Sequence, residues 1–146
     1  MNLMVHKAYK LAKKAHKGQV DKAGRNYIEH PKRVAKKLKS PTAKIVGYLH
    51  DVVEDTSYTL DDIEKIFGKE IRDKVSLMTH RKEDSYDEYV KKIMTDPICC
   101  EVKLSDLVDN MNLFRLDSDK IDDHMIEKYK LYCKYYIMLI EHLYKK

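Results

Sequence analysis

The stretch IVGYLHDVVEDT, residues 45 to 56, sets a polar cluster inside an apolar run. Ile45, Val46, Tyr48, Leu49, Val52 and Val53 are core-forming residues at helical spacing, and they predict a helix. His50, Asp51, Glu54 and Asp55 sit in the middle of it. Buried charges are costly unless something pairs with them, so these four groups imply partners. On a helix His50 and Glu54 share a face, as do Asp51 and Asp55. His50 and Asp51 project about 100° apart, close enough to lean toward one point. Imidazole with carboxylate suits a divalent first-row metal, but two adjacent residues do not close such a site. For an isolated His-Asp pair, a salt-bridged helix surface is the plain alternative.

Two other places offer ligands. His30, in YIEHPKRV, lies at a loop-to-helix junction from which a side chain can reach a neighbouring helix. Asp106, in VKLSDLVDNM, is flanked by Val102, Leu104, Leu107 and Val108, and Asn110 lies one turn further on its face. Taken singly, His30 reads as a helix-start residue and Asp106 as an ion-pair partner. Together, His30, His50, Asp51 and Asp106 would place two imidazoles and two carboxylates around one cation.

Outward from these residues the chain reads as helical almost throughout. Four glycines and three prolines in 146 residues, with 36% charged and 43% hydrophobic residues, favour helices over sheets. Leu3, Met4, Ala8, Leu11, Ala12 and Ala15 form a stripe behind the cap residue Asn2. Residues 17 to 29, containing Gly18 and Gly24, form the longest loop; the glycines either open it to a ligand's approach or serve as turn residues. Pro31 suits the first turn of a helix through Val34, Ala35 and Leu38. Ser40-Pro41 starts the helix that carries His50. Thr59 caps LDDIEKIF, which ends at Gly68; a helix covers Lys69 to Met78. Ser85 and Glu88 form a capping box, and Asp96-Pro97 starts the helix containing Asp106. A last long helix runs from about Asp119 to Tyr144. The expectation is an all-α, compact, multi-helix domain of about eight helices spanning residues 1–146.

The net charge is +5. The lysines are scattered in pairs such as Lys13-Lys14 and Lys36-Lys37, as on solvated helix faces, and no dense basic face with interleaved aromatics points to nucleic acid. No run approaches the roughly 20 apolar residues of a membrane span. The N-terminus lacks the apolar stretch of a signal peptide. Cys99, Cys100 and Cys133 are too few and too irregular for a disulfide framework or a CxxC metal site. A reduced, cytoplasmic setting is expected.

The order AHKGQ, YIEHP, LHDVVEDT, VKLSDLVDNM, from His16 to about Leu116, resembles the HD-domain superfamily of metal-dependent phosphohydrolases. Within it, the chain is similar to the RelA/SpoT-type hydrolase domain, which removes pyrophosphate from the 3′ position of (p)ppGpp. The resemblance implies an HD-domain fold and makes His30, His50, Asp51 and Asp106 the ligands of a divalent metal, usually Mn²⁺. It makes Glu54 and Asp55 the acidic pair that positions or activates the attacking water. It places Asn110 near the sugar and phosphate, Lys22 and Tyr27 in the substrate pocket, and Tyr129 as a further wall. Lys103, Lys22 or Arg81 would offset polyphosphate charge. The pattern departs at Asp21, where such hydrolases commonly carry an arginine that packs on guanine. Glu83 and Asp84 also interrupt the basic segment HRK, residues 80–82.

Three classes of function follow. The first is a hydrolase of a nucleotide pyrophosphate ester, with (p)ppGpp as first substrate. The second is a phosphatase of another nucleotide, such as NADPH or a nucleoside monophosphate. The third is a non-catalytic nucleotide sensor, against which the retained Glu54 and Asp55 speak.

Overall fold

A computed structural model describes residues 2–145. Helices of eight or more residues follow one another: α1 (Leu3–Ala15), α2 (Glu29–Lys36), α3 (Pro41–Leu49), then, after the four-residue α4 (Val52–Asp55), α5 (Leu60–Phe67), α6 (Lys69–Met78), α7 (Tyr86–Ile93), α8 (Pro97–Asn110) and α9 (Asp123–Tyr144). Among the described residues the β-structure is one bridge, Val20 to Asn26. The expected all-α architecture is present.

The helix ends follow side-chain chemistry. Asn2 accepts the Met4 and Val5 amides, and Ser40 accepts that of Ala43. Thr59 with Asp62, and Ser85 with Glu88, close reciprocal capping boxes. Asp96 accepts the Ile98 and Cys99 amides ahead of Pro97. Gly18 and Gly24 have φ of 85° and 80°, so both are turn residues of the loop between α1 and α2.

Two expected helices differ. On α1 the buried residues are Val5, Ala8 and Ala12, while Leu3 is exposed, so the core face is rotated from the Leu3–Met4 stripe. The last helix begins at Asp123 rather than Asp119: Ser118–Lys120 is a 3₁₀ turn, and Asp122 caps α9 through the Met125 amide.

Helix α3 is the centre of the fold and packs on α1, α2, α6 and α8. Its residues Val46 and Leu49 are fully buried, with Val34, Leu107 and Val75 around them. At Gly47 the missing side chain lets α2 approach closely: a Cβ there would stand 3.3 Å from the Ala35 Cα. This close crossing brings the start of α2, the end of α3 and the middle of α8 to one place.

Candidate metal centre and cleft

The helix predicted through His50 and Asp51 is interrupted there. His50 caps the end of α3, and Asp51, at φ −104° and ψ −2°, begins α4. The break turns the two neighbouring side chains toward each other: His50 Nε2 lies 3.0 Å from Asp51 Oδ2. His30 from α2 and Asp106 from α8 meet them. Asp106 Oδ1 is 2.9 Å from His30 Nε2 and 3.3 Å from His50 Nε2, and Asp51 Oδ2 is 3.8 Å from His30 Nε2. The structure thus gathers the four residues singled out from the sequence.

The outer nitrogens of both imidazoles are already engaged. His50 Nδ1 is 2.6 Å from the Gly47 carbonyl, and His30 Nδ1 is 2.6 Å from Asp109 Oδ2. Since a carbonyl only accepts, Nδ1 of His50 carries a proton and donates it, and the neutral ring turns its Nε2 lone pair inward. His50 Nε2 is buried and makes no hydrogen bond. That orphaned atom, facing two carboxylates and a second imidazole, fits a cation between them. Without one, burial would push His50 away from its charged form, but the Asp51 and Asp106 charges hold it well above the usual imidazole range. The same field that would draw a proton in favours a bound cation.

Around this cluster further contacts orient the carboxylates. The Tyr27 hydroxyl donates to Asp51 Oδ2 at 2.6 Å, and Asn110 Nδ2 to Asp106 Oδ1 at 3.2 Å. Lys103 Nζ donates to Asp106 Oδ2 at 2.9 Å. Burial opposes the Asp106 charge, yet Lys103 and the histidines keep its carboxyl well below the ordinary range.

Glu54 and Asp55 stand with Asp51 in a second acidic group. Glu54 Oε1 accepts the His80 backbone N–H at 2.6 Å. Burial raises Glu54, and the Asp51 and Asp55 charges add to this against that amide. Asp55 is likewise raised, by burial and by Asp51. A carboxylate with a raised pKa is the stronger proton acceptor.

A cleft of about 270 Å³ opens beside His30, with Lys22, Tyr27 and Asn110 on its wall. Two expected pocket residues lie elsewhere. Lys103 is buried on the core face of α8, against the rings of Tyr86 and Tyr89, and spends its charge on Asp106. Tyr129 is exposed; Tyr132, three residues further, is the tyrosine of α9 that lines the cleft. Arg81 is an exposed residue away from the cleft wall. The cleft's other cations, Arg33 and Arg115, were not anticipated, nor was Asp109, which binds both. Arg33 and Asp109 could have been found: each lies three residues after a proposed ligand, one helical turn on the same face.

Residues 8–132 match the HD domain family. The chain belongs to that family. Membership implies a divalent cation, and His30, His50 and Asp106 are gathered as its donors. This HD domain is 31% identical to a GTP pyrophosphokinase of Streptomyces coelicolor, across 88% of this chain and 17% of that protein. It is 34% identical to the bifunctional (p)ppGpp synthase/hydrolase SpoT of Escherichia coli, and to a guanosine-3′,5′-bis(diphosphate) 3′-pyrophosphohydrolase of Aquifex aeolicus. Each of these matches covers 73% of this chain and 17% of the relative. The chain therefore spans about a sixth of the length of the curated relatives it matches. A solved structure of a metazoan SpoT ortholog, described as hydrolysing ppGpp, shares the fold at a TM-score of 0.79. It is 20% identical, over 96% of this chain and 86% of that one. Among the described residues no helix is long and apolar enough to cross a membrane.

Proposed function

We propose that this HD domain hydrolyses a small nucleotide, removing pyrophosphate from the 3′ position of (p)ppGpp, with Mn²⁺ as the cation. The observation that carries the reading is the convergence of His30 and His50 Nε2 with Asp51 and Asp106, their outer nitrogens already engaged, at the edge of a cleft bearing Lys22. The activities of the HD-domain relatives support it.

A divalent cation at these four residues would stabilise charge developing on the phosphoryl oxygen and make water a better nucleophile. The protein supplies the rest. Glu54, raised by burial and fixed by the His80 amide, accepts the proton of the attacking water. Asp55 orients that water; its backbone carbonyl is tied to Gln19 Nε2 at 3.0 Å, and Gln19 in turn meets His16 Nδ1 at 2.9 Å. Tyr27 and Asn110 hold Asp51 and Asp106 in place while facing the cleft.

One observation favours a different nucleotide. Asp21 accepts the Ala23 and Arg25 amides, at 2.9 and 3.0 Å, and so serves its own loop instead of supplying a cation for guanine. A phosphatase of another nucleotide such as NADPH is the second reading. Release of phosphate or pyrophosphate from a panel containing both compounds, with and without Mn²⁺, decides between them. Preferred, Mn²⁺-dependent pyrophosphate release from (p)ppGpp supports the first reading, and preference for NADPH replaces it with the second.

A further inference from the structure

Lysines that look scattered along the sequence meet in one place, away from the cleft. Between the start of α1, the helix α2 and the start of α3 lies a second pocket, of about 450 Å³. Lys32 and Lys36 reach it from α2, Lys39 from the turn that follows, and Lys44 from α3. No residue lines both this pocket and the cleft. Helix α3 separates the two. Pro41, its first residue, is in the pocket wall, and His50, which ends it, lies about 13 Å further along the axis.

The four ammonium groups have no counter-charge. No carboxylate lines the pocket, and the acidic residues among residues 1–50 are Asp21 and Glu29 alone. Among the described residues no ion pair involves any of the four lysines. Lys32 and Lys36, four residues apart on one helix, repel each other, which costs the helix stability. Lys44 is held in place: its Nζ donates to the Ala35 carbonyl at 3.1 Å, which leaves two of its three N–H groups for a ligand.

Tyr48 is a second, independent sign. It lies one turn after Lys44 on the same face of α3 and is only 8% exposed, its ring 5.5 Å from that of Tyr9. It forms part of the pocket wall, and its hydroxyl has no hydrogen-bond partner among the described residues. A buried tyrosine normally finds a partner for its O–H. Here the group left to supply one is whatever occupies the pocket. Ammonium groups bind phosphate as point charges, and a hydroxyl donates to its oxygens. A single phosphate does not balance four lysines, whereas several linked phosphates do. The volume suits a small molecule. We propose that this pocket binds a chain of linked phosphates, held by Lys32, Lys36, Lys39 and Lys44 with its inner end on the Tyr48 hydroxyl. Inorganic polyphosphate and the tail of a nucleoside triphosphate share that chemistry.

The test is a titration of the ¹⁵N-labelled full chain with sodium tripolyphosphate, followed through its amide resonances. The amides of Lys39, Thr42 and Lys44 should shift and saturate. Charge-assisted hydrogen bonds are each worth about tenfold or more in affinity. Combining Lys36→Gln with Lys39→Gln should therefore weaken binding at least about tenfold, and Tyr48→Phe about tenfold. Any shifts of Ala23 and Asn112, in the cleft, should keep their midpoint in these variants. Absence of saturable shifts at residues 39–44 overturns the proposal, as does an affinity that the lysine variant or Tyr48→Phe leaves unchanged. Equal shifts with sulfate at matched ionic strength would show a diffuse counter-ion layer and overturn it too. With the site established, ATP decides the source. Tighter binding than tripolyphosphate makes the ligand a nucleotide resting its apolar part on Val5 and Pro41, and binding no tighter makes it the inorganic chain.

Discussion

Asp106 and Asp109, one helical turn apart on α8, grip opposite nitrogens of one imidazole: Asp106 Oδ1 is 2.9 Å from His30 Nε2, and Asp109 Oδ2 is 2.6 Å from Nδ1. The inner carboxylate belongs to the cation cluster, and the outer one sets the ring's tautomer and orientation. Outer-sphere partners of metal-bound histidines typically contribute about 10- to 100-fold in metal affinity. Asp109→Asn should weaken Mn²⁺ binding, measured by calorimetric titration, by about that factor. An unchanged affinity would remove Asp109 from this role.

Lys103 answers a different need. It is buried with Asp106 and lies 5.1 Å from the centre of the Tyr89 ring. Lys103→Met fills the space but leaves the Asp106 charge short of a partner, and breaking a buried pair from one side costs about 3–5 kcal/mol. A bound cation supplies part of the missing charge. Urea unfolding should therefore show a large loss in chelator and a smaller one with saturating Mn²⁺; equal losses would show that Asp106 does not face the cation.

At Gly47 the methyl group of an alanine would press on Leu38 Cδ1 at 3.0 Å and on the Ala35 Cα at 3.3 Å. The leucine tip can move, but the backbone of α2 cannot without carrying His30 with it. Overpacking of about 1–3 kcal/mol opposes a helix-propensity gain of about 1 kcal/mol. Gly47→Ala should lower both the melting temperature and Mn²⁺ affinity. A stabilised variant with full affinity would show that α2 adjusts freely.

The acid limb of stability should contain Asp96, which caps α8 and accepts Lys74 Nζ at 2.6 Å. Burial raises its carboxyl, but Lys74 and the two amides outweigh that and bring it below its ordinary value. A depressed carboxylate stabilises the fold fully above its unfolded pKa of about 3.9, and the contribution fades as pH falls through the folded value. Lys74 shifts the other way: burial lowers it, Asp96 outweighs this, and its share disappears only as alkaline pH passes through the raised value. Asparagine keeps the cap without the charge. Asp96→Asn should cost about 1–2 kcal/mol at neutral pH and progressively less below about pH 3.9. A pH-independent difference in urea unfolding would contradict this.

Much of the molecule could be read in its sequence because it rests on local rules. The boundaries of α5, α6, α7 and α8 follow from Thr59, Gly68, Ser85 with Glu88, and Asp96-Pro97, whose side chains or backbones act within a few residues of themselves. His50, Asp51 and Asp106 are conspicuous as polar groups amid apolar neighbours, His30 stands out by its place at a loop-to-helix junction, and the family resemblance joins the four into one ligand set. Relations between helices were not legible. The break falls at His50-Asp51, with no glycine or proline at either position to announce it, and His50 Nδ1 donates to the Gly47 carbonyl one turn back. Lys103 looked like a cleft cation until the phase of α8 turned it onto Tyr86 and Tyr89. Arg115 follows α8 in a 3₁₀ turn that carries no helical periodicity, so its partnership with Asp109 was invisible in the chain alone.

The central claim is that a divalent cation at His30, His50, Asp51 and Asp106 makes this HD domain a (p)ppGpp pyrophosphohydrolase. The direct measurement is pyrophosphate release from (p)ppGpp by chelator-treated chain as Mn²⁺ is added back, with bound Mn²⁺ determined on the same samples. Turnover should be absent at the start, rise with occupancy and level off as the ratio reaches one Mn²⁺ per chain. Turnover that survives complete chelation, or none when one Mn²⁺ is bound per chain, would contradict the account.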